Sequence, residues 1–516
     1  MPSVGFRYRR DVLPTAALLL LGSLSFVHLT ALPAFEDEGS QLRWIWRLLE
    51  AGEWLQPLND GKPLEAWPMA PLVALGLGPL WVMRAMHVLA GMIGTLLIYR
   101  LGCLLGSRST ALAGGVLFAI CPFAVYLQRF ALSDMFLCAA GVWVLLSVVQ
   151  FIASPTAMRA AVLAMALVLA AFCKFPVGFV FLAALPAALL LMPSAVRLRL
   201  LERPGLSRLL LAHVPVVLLA LVIAVVAVFR LQRGQTAGFG LQDFLGIGLG
   251  GYQHIAALTG VTRVNLLEEL SAQLTWPATL LALLGAAAAL PLKDWRYRWL
   301  VVMGAGPMLA IGLLAHFWYS RYLLFTLPPL IIGAVAGWRS IAIHARHWRR
   351  PVEWSVLAVC VGFMARQSAL LIWDPAAAHW SALDRFGYIE GWGSGFGYPE
   401  AAKYIEQASD APRIIYSLDG HSAYQLRSYL PTEWAARVKP VFYGPDGQML
   451  RTEDGRMQNL FRQSPAWIVV SEQLLQGYME SSFGRSNSEQ INLRRIAEFD
   501  KPGLHAQLAI YAVSRR

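Results

Sequence analysis

Charge is what this chain has least of. Only 14% of its 516 residues are Asp, Glu, Lys or Arg while 57% are hydrophobic, and a mean hydropathy of +0.53 excludes a water-soluble protein of ordinary composition. Cysteine is scarce too. Cys103, Cys121, Cys138, Cys173 and Cys360 lie in or at the ends of apolar stretches without ligand-like spacing, which argues against a disulfide framework or a thiolate metal cage. No internal repeat or low-complexity tract appears. The first hydrophobic segment lacks a small-residue cleavage site, and Glu36, Asp37 and Glu38 follow it directly, so it is expected to remain as a span.

What the chain does have is apolar runs long enough to cross a hydrocarbon core about 30 Å thick. Residues 12–32, 80–102, 110–127, 132–152, 160–173, 177–192, 209–229, 275–292, 300–315, 322–338 and 354–373 read as about eleven transmembrane helices. Two of them, 160–173 and 177–192, are short and separated only by Lys174, Phe175 and Pro176. One kinked element is the alternative, and it would invert everything downstream. Loop charge arbitrates. With the N-terminus in the cytoplasm, Arg7, Arg9, Arg10, Arg100, Arg108, Arg159, Arg197, Arg199, Arg203 and Arg208 fall inside. Lys293, Arg296, Arg298, Arg339, Arg346, Arg349 and Arg350 join them only if Lys174 marks a true outward hairpin. The net charge of +12 resides mostly in these short loops, where it orients helices and meets anionic lipid, so nucleic acid is not an expected partner.

Three stretches outside the spans are long enough to fold. Residues 33–79 carry Leu42, Ile45, Trp46 and Leu49 at helical spacing, as in an amphipathic helix lying on a bilayer surface. Residues 230–273 form a second surface segment on the same outer side. From Asp374 to the end the composition turns polar, with strands expected at 413–418, 467–471 and 507–513 and helices at 398–407 and 472–479. The expected organisation is therefore a membrane domain, 1–373, and a small soluble α/β domain, 374–516, on the periplasmic side of a bacterial inner membrane.

The polar residues that break the apolar pattern fall into clusters on that same face. Phe35-Glu36-Asp37-Glu38 follows the first span; carboxylates so near hydrocarbon mark function by default, although they also suit the N-terminus of the surface helix. Asn59 to Leu64 is a turn bearing Lys62. Gln128 to Asp134 places Arg129 and Asp134 at the ends of adjacent spans, where Asp134 needs a partner in Arg129 or Lys174. His316 to Tyr322 contains interfacial aromatics, Tyr322 among them, and Arg321, whose guanidinium suits a phosphate. Such a pocket fits a lipid-linked phosphosugar: cations for the phosphate, a carboxylate for the acceptor, helices for the tail. A transporter or flippase of a lipid-linked glycan is the alternative, but paired broken helices and repeated halves are missing.

These residues resemble the GT-C fold glycosyltransferases of the dolichyl-phosphate-mannose protein mannosyltransferase class, which includes the bacterial aminoarabinose transferases. The likeness rests on Asp37-Glu38, Gly61-Lys62-Pro63-Leu64, Arg84, Arg129 through Asp134, Cys173-Lys174-Phe175-Pro176, Ser320-Arg321-Tyr322-Leu323 and the segment Gly391 to Gly397. It implies that Asp37 is the general base, with Glu38 supporting its loop and Asp134 orienting sugar or acceptor. Lys62, Arg129, Lys174, Arg321 and Tyr322 would hold the polyprenyl-phosphate-linked donor, a hexose or pentose leaving with inversion for a periplasmic glycan, lipid or protein. The aminoarabinose transferases carry a glutamate just before the loop lysine. Here that position is Gly61, and Glu65 lies beyond the lysine at a different spacing. Glu36, Asp37 and Asp134 are oxygen donors of the kind a hard divalent cation takes, but the resemblance implies catalysis without one, and no cofactor is expected.

Overall fold

A computed structural model describes residues 8–55, 57, 62–105, 107–174, 178–202, 207–208, 266–314, 320–391, 393–408, 411–412, 414–417, 420–443, 450–452, 466–472, 475–476, 491–502 and 507–515. The first helices are α1 (Tyr8–Ser23), α2 (Glu36–Ala51), α3 (Ala70–Ala74), α4 (Pro79–Leu104), α5 (Arg108–Ala119), α6 (Pro122–Gln128), α7 (Asp134–Ala153) and α8 (Ala157–Cys173). They continue with α9 (Ala184–Leu191), α10 (Ser194–Leu201), α11 (Leu266–Leu274), α12 (Trp276–Ala289), α13 (Trp295–Leu314), α14 (Leu327–Ala342) and α15 (Arg349–Trp373). The C-terminal part adds α16 (Ala382–Arg385), α17 (Tyr398–Gln407), α18 (Gly420–Arg427) and α19 (Thr432–Ala435). It also carries strands β1 (Ile415–Ser417), β2 (Val438–Tyr443), β3 (Leu450–Thr452), β4 (Ala466–Ser471), β5 (Ile491–Phe499) and β6 (Leu508–Arg515).

The chain divides into two compact units. The first comprises Met1–Leu29, Pro57–Glu65 and Arg84–Ser381, the second Thr30–Gln56, Ala66–Met83 and Ala382–Arg516. In the first, four helices among the described residues are long and apolar enough to cross a membrane, or up to six spans if each of two bent pairs counts as one. This is a multi-pass membrane protein. Shorter apolar helices cover Asp11–Phe26, Ala157–Cys173 and Val180–Leu191. The expected segment 209–229 and most of 230–273 lie outside the described residues, and a count of about eleven crossings is not established. Both bends have a local cause. Pro122 opens α6 after a 56° break from α5, and Pro277 sits in the first turn of α12 after a 115° break at Thr275, whose φ is +74°. Proline has no N–H to continue the preceding ladder, so each run stops and restarts in a new direction.

Elsewhere the helices approach closely through small residues. A Cβ on Gly337 of α14 would strike the Gly285 carbonyl of α12, so only hydrogen lets the two backbones meet there. The α7–α8 pair matters most for the site. Their 20 and 17 residues give about 30 Å and about 26 Å of helix. A turn of a few residues joins them, so they run antiparallel and the start of α7 returns beside the end of α8.

The second unit is an α/β fold whose six-stranded sheet has the order β3-β2-β1-β4-β6-β5. β1 pairs parallel with β2 and β4, while β6 runs antiparallel to β4 and β5. Central β1 and β4 are buried along their whole length, as their apolar runs require. Helix α2 belongs to this unit. Its buried side is Glu38, Gln41, Leu42, Trp44, Ile45 and Leu48, whereas Leu49 is 39% exposed. That face is rotated from the expected Leu42-Ile45-Trp46-Leu49 stripe because α2 packs on α18 and α3, with the Trp46 ring 5.7 Å from that of Tyr424.

Candidate functional site

Each unit holds one cluster of the residues singled out in the sequence. In the membrane unit, Asp134 is the first residue of α7 and Lys174 the residue that ends α8. The antiparallel pairing brings them together, and each charge also suits its own helix end, anion at the N-terminus and cation at the C-terminus. Lys174 Nζ lies 2.9 Å from Asp134 Oδ1, with side chains only 12% and 5% exposed. Of the two partners open to Asp134, the lysine is therefore the one it takes.

Arg321, in the 3-10 segment Ser320–Thr326 that leads into α14, brings Nε to 4.0 Å from Asp134 Oδ2. Tyr322 lies beneath both cations, its ring centroid 4.2 Å from Lys174 Nζ and 5.7 Å from Arg321 Cζ, which offsets part of their desolvation. Lys62 and Glu65 close this cluster at the turn Pro63–Glu65. Lys62 Nζ stands 4.0 Å from Glu65 Oε2, and Glu65 is fully buried. Burial pushes its carboxyl up to about 7; Lys62, the Ser133 hydroxyl and Lys174 draw it back down, and Asp134 adds to the rise. Sequence spacing gave no sign that Glu65 would turn inward, though a carboxylate three residues after a loop lysine is the available clue.

Arg129 stands apart from these groups in its contacts. Its guanidinium donates to the carbonyls of Ser25 (3.1 Å), Val27 and His28 (2.7 Å), at the turn where His28 has φ +50°. Arg84 supports the same turn through the Leu29 carbonyl at 3.0 Å and lies over the Phe130 ring. Both arginines are fully buried, and both serve carbonyls left open where the first helix ends. Asn59, Asp60, Gly61, Phe175, Pro176 and His316 to Tyr319 lie outside the described residues.

The second cluster, within the other unit, surrounds the acidic start of α2. Glu38 turns back so that its Oε2 accepts the Phe35 N–H at 2.8 Å, a helix-capping contact; Asp37, half-buried, occupies the same first turn. The strand of chain before it is held on several sides. Glu36 N donates to the Gly393 carbonyl (3.1 Å), and Gln425 Nε2 donates to the carbonyls of Ala34 (2.8 Å) and Gly393 (3.2 Å). The Tyr429 hydroxyl accepts the Ala34 N–H, and the Phe35 ring packs on Tyr388 at 4.8 Å. A Cβ at Gly395 would strike the Ala34 carbonyl, and one at Gly393 would come within 3.0 Å of Glu36 Oε2. The glycines of Gly391 to Gly397 are thus needed for close backbone approach to residues 34–36; Trp392 is outside the described residues. Lys501, 5% exposed, donates to the carbonyls of Gly391 (3.3 Å) and Ser394 (3.0 Å). Burial lowers its amine to about 7, against the opposing pull of Glu36. Among the described residues no three His, Cys, Asp or Glu side chains assemble as a metal cage.

Superposition on solved structures defines the class: the chain has the GT-C fold. Its particular likenesses are to solved structures only, since no family model and no curated protein matches. ArnT from Cupriavidus metallidurans in the apo state superposes with a TM-score of 0.59 at 14% identity, over 98% of each chain. The same protein bound to undecaprenyl phosphate gives 0.56 at 16% identity, again over 98% of each. The archaeal oligosaccharyltransferase AglB from Archaeoglobus fulgidus, in complex with an inhibitory peptide and a dolichol-phosphate, gives 0.52 at 12%, covering 95% of this chain and 74% of that one.

Proposed function

We propose that the protein is a glycosyltransferase that takes a sugar from a polyprenyl-phosphate carrier at the periplasmic face of a bacterial inner membrane and passes it to a glycan, lipid or protein. The observation that carries this reading is the cluster of Lys62, Lys174 and Arg321 gathered at the buried carboxylates of Glu65 and Asp134. Three cations brought together at one place favour an anionic ligand there. A phosphate ester is such a ligand, and its isoprenoid tail fits between apolar helices. ArnT, of the same fold, has been captured with undecaprenyl phosphate.

In the proposed reaction the acceptor hydroxyl or amine loses its proton to the Asp37 carboxylate as it attacks the anomeric carbon. The bond from that carbon to the phosphate oxygen breaks on the opposite face, so the configuration inverts. Its electron pair stays on the departing lipid phosphate, whose charge Lys62, Lys174 and Arg321 neutralise. Asp134 fixes Lys174 and Arg321 and orients sugar or acceptor, while Glu38 and Arg129 hold the loops that carry the reacting groups. The C-terminal residues contribute to acceptor choice.

Asp37→Asn tests the assignment because it is nearly isosteric and removes only the base. The variant should bind undecaprenyl phosphate normally and transfer sugar at least a hundredfold more slowly. Transfer at the wild-type rate would remove Asp37 from the chemistry. Movement of labelled lipid across vesicles without a new glycosidic bond would identify a flippase instead. Mass spectrometry of envelope glycans from a deletion strain identifies the acceptor.

A further inference from the structure

The reaction proposed above leaves one buried carboxyl of the carrier cluster unused. Glu65 has no exposed surface, and among the described residues neither of its oxygens closes a hydrogen bond of ordinary geometry, the Ser133 hydroxyl being the side-chain donor that faces it. Lys62 Nζ at 4.0 Å attracts it without closing a hydrogen bond. The other groups facing it are Ser133 and Asp134 at the start of α7, Lys174 past the end of α8, and Cys173 in the last turn of α8; Arg321 reaches this group through Asp134. A native structure rarely buries a carboxyl with both oxygens unsatisfied, because the lost hydration costs a few kcal/mol. A ligand atom that pairs with it is the direct explanation.

The charge balance says which ligand. Lys62, Lys174 and Arg321 pair here with the carboxylates of Glu65 and Asp134, and protonating Glu65 removes one of those negative charges. An arriving phosphate anion favours the protonated form, since an ionised carboxylate beside it would set like charges together. The protonated carboxyl also gains an O–H to donate, which the carboxylate lacks. We infer that Glu65 takes up a proton from solvent as the lipid carrier binds and donates it in a hydrogen bond to a phosphate oxygen, which makes carrier affinity pH-dependent. This rests on the reading of the cluster as the carrier site. Burial has already brought the free carboxyl up to about 7, so the uptake falls in the neutral range.

The test uses undecaprenyl methyl phosphodiester, a probe with no proton of its own to exchange near neutrality, titrated calorimetrically into the full-length protein in detergent. Pairs of buffers with different ionisation heats count the protons taken up. Near pH 8 the wild type should take up close to one proton per probe bound, and near pH 5.5 almost none. Its affinity should fall by up to about tenfold per pH unit above neutral. Glu65→Gln keeps a neutral N–H donor, so it should bind with about the low-pH affinity of the wild type at every pH and take up no proton. Glu65→Ala should bind about tenfold more weakly with an equally flat profile. Binding by the wild type without proton uptake at pH 8, or an unchanged pH slope in Glu65→Gln, overturns the inference. Should either variant misfold, the wild-type proton count decides alone. Failure of both the probe and undecaprenyl phosphate to bind at any pH would remove the carrier site and the proposed function with it, whereas binding without proton exchange removes only the role of Glu65.

Discussion

Replacing Asp134 with alanine tests whether the membrane unit was built around an ion pair that awaits an anion. At 2.9 Å and an effective dielectric of about 20, the attraction between Asp134 and Lys174 is about 6 kcal/mol before desolvation is subtracted. The net cost of stranding Lys174, 12% exposed at its side chain, is roughly 3–5 kcal/mol, the range for breaking one side of a buried pair. For a unit of this size that lowers the melting midpoint by roughly 5–10 °C. Thermal unfolding in detergent without lipid carrier measures it. Asp134→Ala combined with Lys174→Met should recover more than half of the loss, because the stranded cation is gone. The loss in Asp134→Ala should also shrink between pH 5.5 and pH 8. Asp134 is one of the charges that raises Glu65, so without it Glu65 ionises more readily and partly replaces the missing partner. A single variant that melts within about 1 °C of wild type, or a double variant that loses the sum of both singles, would refute the reasoning.

Other outcomes follow from neighbouring features. Arg129→Met should lower stability by about 3 kcal/mol, from three lost bonds to carbonyls, while leaving carrier affinity in the surviving folded protein unchanged. Weakened carrier binding at an unchanged melting point would make Arg129 a ligand instead. Gly395→Val places a side chain against the Ala34 carbonyl and should slow transfer tenfold or more with carrier binding intact; normal turnover would show that the approach of residues 34–36 to the glycine segment is not needed. Lys501 is held near 7 in the folded state against about 10.5 unfolded, so folding carries a cost that is full below pH 7 and disappears as pH climbs through 10.5. The C-terminal unit should gain stability between those values, by at most about 5 kcal/mol, and Lys501→Met should flatten the profile in melting curves recorded from pH 6.5 to 9.5.

Much of this was legible in the residues alone, for identifiable reasons. Apolar runs announce membrane helices because lipid leaves little choice of side chain, and Asp134 stood out because a carboxylate among such residues needs a partner. Lys174 was named as one candidate; choosing it over Arg129 took the antiparallel return of α8, a tertiary fact. Arg129 looked identical on paper to a phosphate ligand, since a guanidinium that serves carbonyls and one that serves phosphate share one sequence signature. Strands β1, β4 and β6 were readable from their buried apolar runs, whereas β2, β3 and β5 were not. Val438–Tyr443 contains a lysine and a proline, and Ile491–Phe499 mixes Arg494, Arg495 and Glu498 into an edge strand that owes its place to pairing with β6. The burial of Glu65 was invisible for a different reason. A turn of three residues has no periodicity to reveal which way a side chain faces.

The way residues 34–36 are held bears on how little sequence this fold requires. Main-chain groups form much of that grip: an amide of Glu36 against a carbonyl of Gly393, and the carbonyl of Ala34 against a glycine that leaves room for it. Gln425 and Tyr429 supply the remainder. Backbone atoms are common to all twenty amino acids, so lineages can exchange most of the surrounding side chains while the acidic turn stays where it is. The solved ArnT structures share the architecture at only 14–16% identity.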